Sequence, residues 1–223
     1  MTYYFEKTKQ IDNDFYSTTI STNKIIKINK DHIYSFTLDD YTLFPFDEYK
    51  NKNRYYINFT YTQNHDAFEY FQNIEDGELI DLEMDIELDL TNNKKKIIIL
   101  VDKEGLADIK QIVNNHSKEK YELYYFDLIH SFLNNYDGVN IFSQKKLVDY
   151  NSLNSFNFDN NDIIIASGSK HFLHLINHKF KNRDIIYLDD DNIESISKLE
   201  EGKDIRLYND GKLKAECTNY SNG

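Results

Sequence analysis

One cysteine, one proline and no tryptophan occur in 223 residues. The lone cysteine, Cys217, excludes an internal disulfide, so the fold has to be held by its core, and a reducing compartment is the simpler expectation. No apolar run approaches the roughly 20 residues that a membrane-crossing helix needs. The N-terminal MTYYFEKTKQ also has no basic start followed by an apolar stretch. A cytoplasmic protein without a membrane partner is the expectation. Positive charge is short as well: 26 Lys and Arg stand against 38 Asp and Glu, a formal net charge of −12. A surface of that sign repels nucleic acid backbone and anionic lipid and suits a basic protein partner. The sequence contains no G-x-x-x-x-G-K-[ST], no G-x-G-x-x-G and no G-x-S-x-G, so a P-loop, a dinucleotide fingerprint and a hydrolase nucleophile all lack their anchor.

What is present is enough for a core, since 40% of the residues are hydrophobic, with 18 Tyr and 15 Phe. Up to about residue 93 the pattern is β. YYFEKT, FYSTTIS, KIIKI, HIYSFTL, RYYINFTYT and ELIDLEMDIELDL are short Tyr-, Phe-, Ile- and Thr-rich runs between Asn, Asp and Lys clusters. Such spacing predicts a sandwich or an open antiparallel sheet, with one helical turn near His65 to Phe71 and Pro45 at an edge or in a loop. In RYYINFTYT the alternation places Tyr55, Ile57, Phe59 and Tyr61 on one packed face.

After Lys96 the period changes. IIILVD is a continuous apolar run of the kind buried on both faces of a parallel sheet, followed by a helix over Leu106 to Asn114. YELYYFD, VNIFS, DIIIAS and DIIYLDD read as further strands, YELYYFD alternatively as a helix start, and Lys170 to Phe180 reads as a helix. DIRLYNDGKLKAEC closes the chain as a hairpin on Asn209-Asp210-Gly211. The expected fold is therefore mixed α+β and α/β: a β-rich region, 1–93, packed on a small three-layer α/β unit, 94–223.

Four residue groups are candidate sites. Asp81, Glu83, Asp85, Glu87 and Asp89 alternate with hydrophobes, which projects them to one strand face as a wet surface that can meet a basic partner. Ser167-Gly168-Ser169-Lys170 lies between a buried strand and a helix start, where backbone N–H groups, hydroxyls and an ammonium suit a small anion. At about 100° per residue, His171, His174 and His178 share a stripe opposite Phe172, Leu173, Ile176 and Phe180. That stripe is a solvated helix face, a set of imidazoles for metal binding or proton transfer, or a partner contact. Asp102 and Glu104 end one strand, and Asp189-Asp190-Asp191 ends another, so these acids can converge on Mg²⁺ if the strands are parallel neighbours.

Glu104-Gly105-Leu106-Ala107-Asp108 resembles the glutamate-glycine turn of a Toprim domain, and Asp189 with Asp191 resembles its D-x-D element. The resemblance implies Mg²⁺ held by Glu104, Asp189 and Asp191, which in that family serves DNA or RNA strand chemistry. The order of regions also looks like half of a sugar-nucleotide transferase, which implies an accessory or partial role. No catalytic residue is named by these patterns. The leading expectation is an acidic binding or accessory protein of the inhibitor, immunity or adaptor type with no cofactor. A Mg²⁺-dependent phosphate-processing enzyme is the second.

Overall fold

The computed structural model of the chain describes residues 2–24, 26, 29–39, 41–90, 95–141, 156, 158–159, 161–188, 205–209 and 212–217. The first part is built from β1 (Thr2–Gln10), β2 (Phe15–Thr22), β3 (His32–Leu38), β4 (Tyr41–Leu43), β5 (Pro45–Asn51), β6 (Arg54–Thr62), β7 (Leu79–Asp81) and β8 (Glu83–Asp89), with helix α1 (Ala67–Asn73) before β7. These strands pair antiparallel in two sheets, ordered β5-β6-β2-β1-β7 and β4-β3-β8.

The two sheets are joined at both edges. A single residue, Phe44, separates β4 from β5, and a single residue, Leu82, separates β7 from β8. At each corner the chain leaves one sheet and enters the other, which closes the pair into a barrel and removes most of the free strand edges. Both corner residues are apolar and buried, so burial of Phe44 and Leu82 holds the bends. Tyr3, Phe5, Ile20, Phe36, Ile57 and Phe59 fill the interior, and Ala67 and Phe71 bring α1 against the same cluster. Pro45 starts β5, a position that needs no ladder donor.

This closure corrects the reading of ELIDLEMDIELDL as one strand. Asp81 pairs with Thr2 in one sheet, whereas Glu83 and Asp85 pair with Thr37 and Ser35 in the other, and a register shift follows opposite Ile33 and Tyr34. The carboxylates therefore do not form one straight row. Asp81, Glu83 and Asp85 are exposed, while Leu82 and Leu90 are buried. The side chains of Glu87 and Asp89 lie outside the described residues. KIIKI likewise falls largely outside them.

The second part carries a parallel sheet of β9 (Ile97–Val101), β10 (Tyr121–Tyr125), β11 (Val139–Ile141), β12 (Ile163–Ser167) and β13 (Ile185–Tyr187), in the order β11-β10-β9-β12-β13. All five residues of the central β9 are buried, which is why its sequence is continuously apolar instead of alternating. On one face, Ile98, Leu100, Ile164 and Ala166 pack against Phe172, Leu173 and Ile176 of helix α3 (Lys170–Lys179). The expected helix over Leu106 to Asn114 is shorter than its pattern: a 3-10 turn over Glu104–Leu106 precedes α2 (Lys110–Asn115). YELYYFD is a strand, its side chains alternating buried and half-buried. The hairpin appears as β14 (Ile205–Asn209) paired antiparallel with β15 (Lys212–Cys217).

The barrel and the sheet share one apolar cluster, in which Phe15, Ile33 and Phe44 of the barrel join Ile97, Ile99, Val101, Ile112 and Phe132. Phe15 stacks on Phe132 with ring centroids 3.8 Å apart. Polar contacts cross the same seam. The buried Gln111 side chain accepts from Tyr34 N (3.1 Å) and donates to Tyr34 O (2.7 Å), satisfying a strand backbone that would otherwise be buried without partners. Lys103 Nζ lies 3.1 Å from Asp14 Oδ2, and Ser131 Oγ donates to Asp12. No described helix is long and apolar enough to cross a membrane.

Candidate functional site

Strand order locates the site before any side chain is considered. From the central β9 the chain runs outward through β10 and β11, then returns to β12 on the other side and continues to β13. Neighbouring strands whose connections leave in opposite directions open a crevice at their carboxyl ends, where open α/β sheets bind ligands. Here that crevice lies between the ends of β9 and β12 and is roofed by the barrel. A cleft of about 440 Å³ occupies it. Tyr41, Thr42 and Phe44 come from the strand β4 corner, and Thr62, Asn64, His65 and Asp66 from the segment between β6 and α1. Glu104 and Asp108 follow β9, Gly168 to His171 follow β12, and Leu188 follows β13.

The floor of the cleft is organised by Asp102, the residue after β9. Its Oδ1 accepts from Glu104 N (3.0 Å) and Gly105 N (3.3 Å), and its Oδ2 accepts from Ser169 N (3.0 Å) and Ser169 Oγ (2.5 Å). The chain's own carboxylate thus takes the donors that the sequence pattern offers to an outside anion. Ser167 is fully buried, and its hydroxyl donates to Asp108 Oδ2 at 2.6 Å. Two glycines allow this approach. A Cβ on Gly168, whose φ is +150°, would sit 2.3 Å from Asp102 Oδ1, and a Cβ on Gly105 would sit 2.2 Å from the Ser167 carbonyl carbon. The Glu104-Gly105 turn is therefore a packing feature against β12. Across the cleft, Asn64 Nδ2 donates to Glu104 Oε1 at 3.0 Å, tying the barrel to the sheet.

Burial sets the protonation of two groups here. It pushes the Asp102 carboxyl up to about 6, with Glu104 adding to the rise, against the hydrogen bonds from Ser169 and Gly105 that pull it down. It also pushes the His65 imidazole below its ordinary value, opposed by Asp66 and by a backbone hydrogen bond with Thr42. Ala67 N donates to His65 Nδ1, so that nitrogen is the acceptor of a neutral ring.

The Asp102 shift has a measurable consequence. In the unfolded chain the carboxyl titrates near its ordinary 3.8, so between there and 6 the folded protein binds the proton more tightly. Stability from this group is complete below about pH 4 and is lost as pH rises through 6, by about 3 kcal/mol. Asp102→Asn should flatten that slope relative to the parent in urea denaturation from pH 4 to 7. Parallel curves would contradict the assignment.

The structure distributes the other expected residues unevenly. Ser169, Lys170, Gly168 and Glu104 line the cleft, and Ser167 lies beneath it. The histidine stripe does not face one medium: His171 lines the cleft, His174 is buried, and His178 is exposed. Asp189 and Asp191 lie outside the described residues. Among the described residues, no three His, Cys, Asp or Glu side chains come together to hold a metal. Tyr41, Thr42, Asn64, His65 and Asp66 reach the site from the barrel, and no local motif marks them. The one signal for them is positional, since Tyr41 and Thr42 belong to the three-residue β4 and Asn64 to Asp66 follow the end of β6.

No protein-family model and no curated protein sequence matches the chain. Solved structures do. The flavohemoglobin from Malassezia yamatoensis, with bound FAD and heme, superposes with a TM-score of 0.57 at 12% identity over 83% of this chain. The chain spans 58% of that flavohemoglobin's length. The siderophore interacting protein from Acinetobacter baumannii gives a TM-score of 0.61 at 10% identity, covering 89% of this chain and 97% of that one. The flavohem-like FAD/NAD binding domain of nitric oxide dioxygenase from Vibrio cholerae gives 0.56 at 11%, covering 83% and 96%. At these identities the likeness is one of fold.

That fold corrects the functional expectations drawn from charge and motif. The structures that the chain superposes on include a flavohemoglobin with bound FAD, a FAD/NAD binding domain and a siderophore interacting protein, which overturns the expectation of an acidic inhibitor, immunity or adaptor protein. Mg²⁺-dependent phosphate processing and a partial sugar-nucleotide transferase fall with the same finding. The cofactor expectation, none or alternatively Mg²⁺, is overturned by the FAD and NAD of those neighbours. The physical reason is that alternating acids report the solvent side of barrel strands, which is a property of folding and not of function.

Proposed function

We propose that this chain is a flavin-binding module of the electron-transfer oxidoreductase type, with the flavin ring system seated between the barrel and the carboxyl edge of the parallel sheet. The observation that carries the reading is the position and lining of the cleft. It sits at the switch point of the sheet, beneath a closed barrel, and its volume falls in the range of small-molecule sites. The FAD in the Malassezia flavohemoglobin and the FAD/NAD binding domain of the Vibrio dioxygenase support the same class of ligand.

A flavin ring is flat, apolar on its faces and rimmed by hydrogen-bonding atoms. Tyr41, Phe44 and Leu188 supply apolar wall, and Thr42, Asn64, His65 and His171 supply polar groups around it. The ring fits that set. The phosphates of a flavin nucleotide meet a poorer match, because three carboxylates stand against one ammonium among the described lining residues. When bound, a flavin supplies one- and two-electron transfer; the side chains around it orient the ring and keep water from its faces.

Titration of the protein into flavin, followed by flavin fluorescence and visible absorption, should give saturable one-to-one binding. Thr42→Val and His171→Ala should weaken it while the far-ultraviolet circular dichroism stays unchanged. If riboflavin, FMN and FAD all fail to bind, the reading is wrong.

A further inference from the structure

We infer that the cleft selects a flavin whose tail carries no phosphate over FMN or FAD; the inference rests on the flavin reading above and specifies its ligand. A phosphate group needs either cations or clustered N–H donors, and the donors that meet between the turn after β9 and the start of α3 are already committed to one carboxylate, Asp102. At the start of α3, Ser169 N and Ser169 Oγ donate to Asp102, and Glu104 N and Gly105 N from the opposite loop donate to the same group. Gly168 lets the carboxylate lie against the backbone, in the space a phosphate oxygen would need. A phosphate arriving there would have to displace a charge of its own sign that is buried and fully hydrogen bonded.

On the barrel side, the segment leading into α1 brings Asp66 to the cleft, and its side chain makes no capping hydrogen bond to the helix. Glu104 and Asp108 complete a rim in which Lys170 is the sole Lys or Arg among the described lining residues. His65 adds no compensating charge, since its burial favours the neutral ring. The field in the cleft is therefore negative, and it acts on the tail of a flavin and not on its uncharged oxidised ring. A hydroxylated, uncharged tail can still use Asn64 and the carboxylates as hydrogen-bond partners.

The test compares riboflavin, FMN and FAD against the full chain at pH 8 and low salt by flavin fluorescence and calorimetry. Riboflavin should bind at least about tenfold more tightly than either nucleotide. The gap should narrow as salt is raised, because the screening length falls from about 30 Å at 0.01 M to about 3 Å at 1 M. Asp66→Asn with Glu104→Gln should strengthen FMN binding and narrow the ratio of riboflavin to FMN affinity. Should that variant fail to fold, the parent comparison decides alone. FMN or FAD binding as tightly as riboflavin would overturn the selectivity and leave the flavin reading standing. Absence of binding by all three would overturn both.

Discussion

Gly105→Ala should cost more than about 4 kcal/mol and leave little folded protein at ordinary temperature. The added methyl would overlap the Ser167 carbonyl carbon and oxygen, each 2.2 Å away, and the Gly168 nitrogen at 2.6 Å. Every one of these atoms is backbone, and none can swing aside as a side chain would. Relief would require the 3-10 turn over Glu104–Leu106 to lift from β12, breaking the donations from Glu104 N and Gly105 N to Asp102 and loosening the buried Leu106. Gly168→Ala gives an instructive contrast. Its nearest obstacle is the Asp102 carboxylate at 2.3 Å, part of a side chain, although a φ of +150° adds backbone strain. The expected order is Gly105→Ala well below Gly168→Ala in thermal midpoint, with both below the parent. A Gly105→Ala variant melting within a few degrees of the parent would refute this close approach.

Phe15→Ala should destabilise the protein by about 3 to 5 kcal/mol. Phe15 belongs to the barrel by sequence and to the sheet layer by packing: it is completely buried, stacked on Phe132 at 3.8 Å and edge-on to His130 at 5.4 Å. Truncation leaves a cavity at the seam, where the cluster draws on both layers and cannot collapse without moving one against the other. Barrel and sheet should also lose structure in one transition, because they share that cluster. Urea denaturation followed in parallel by far-ultraviolet circular dichroism and tyrosine fluorescence reads both quantities. A loss below about 1 kcal/mol, or two separated transitions in the parent, would show the seam to be a loose contact.

The fold was legible where periodicity was strong. The run Ile97 to Val101 reads as a strand buried on both faces because nothing in it can face water, and the structure buries all five residues at the centre of a parallel sheet. Barrel closure was not legible. The alternation of ELIDLEMDIELDL continues smoothly through Leu82, so the pattern gives no sign that the chain there passes from one sheet to the other. Alternation reports which side of a strand is wet, and both sheets of a barrel have a wet side.

The site divides along the same line. Its half after β9 and β12 was visible as acids, serines and glycines at the ends of buried runs, because strand ends leave polar residues at a sheet edge. Its other half, Tyr41, Thr42 and Asn64 to Asp66, carries no pattern of its own. The assignment of Ser167 to Lys170 to an outside anion also turned on something no local spacing contains. Asp102 and Ser169 are 67 positions apart in the chain, and they meet because β9 and β12 are neighbours in register, Val101 beside Ser167. By itself the sequence determined most of the elements, their polarity and the acidic exterior, since these depend on residues close together along the chain. Tertiary structure alone decided that the barrel closes, that it roofs the sheet's carboxyl edge, and that a buried carboxylate fills the anion cradle. Each of those depends on which distant strands pair, and pairing is settled by burial across the whole core.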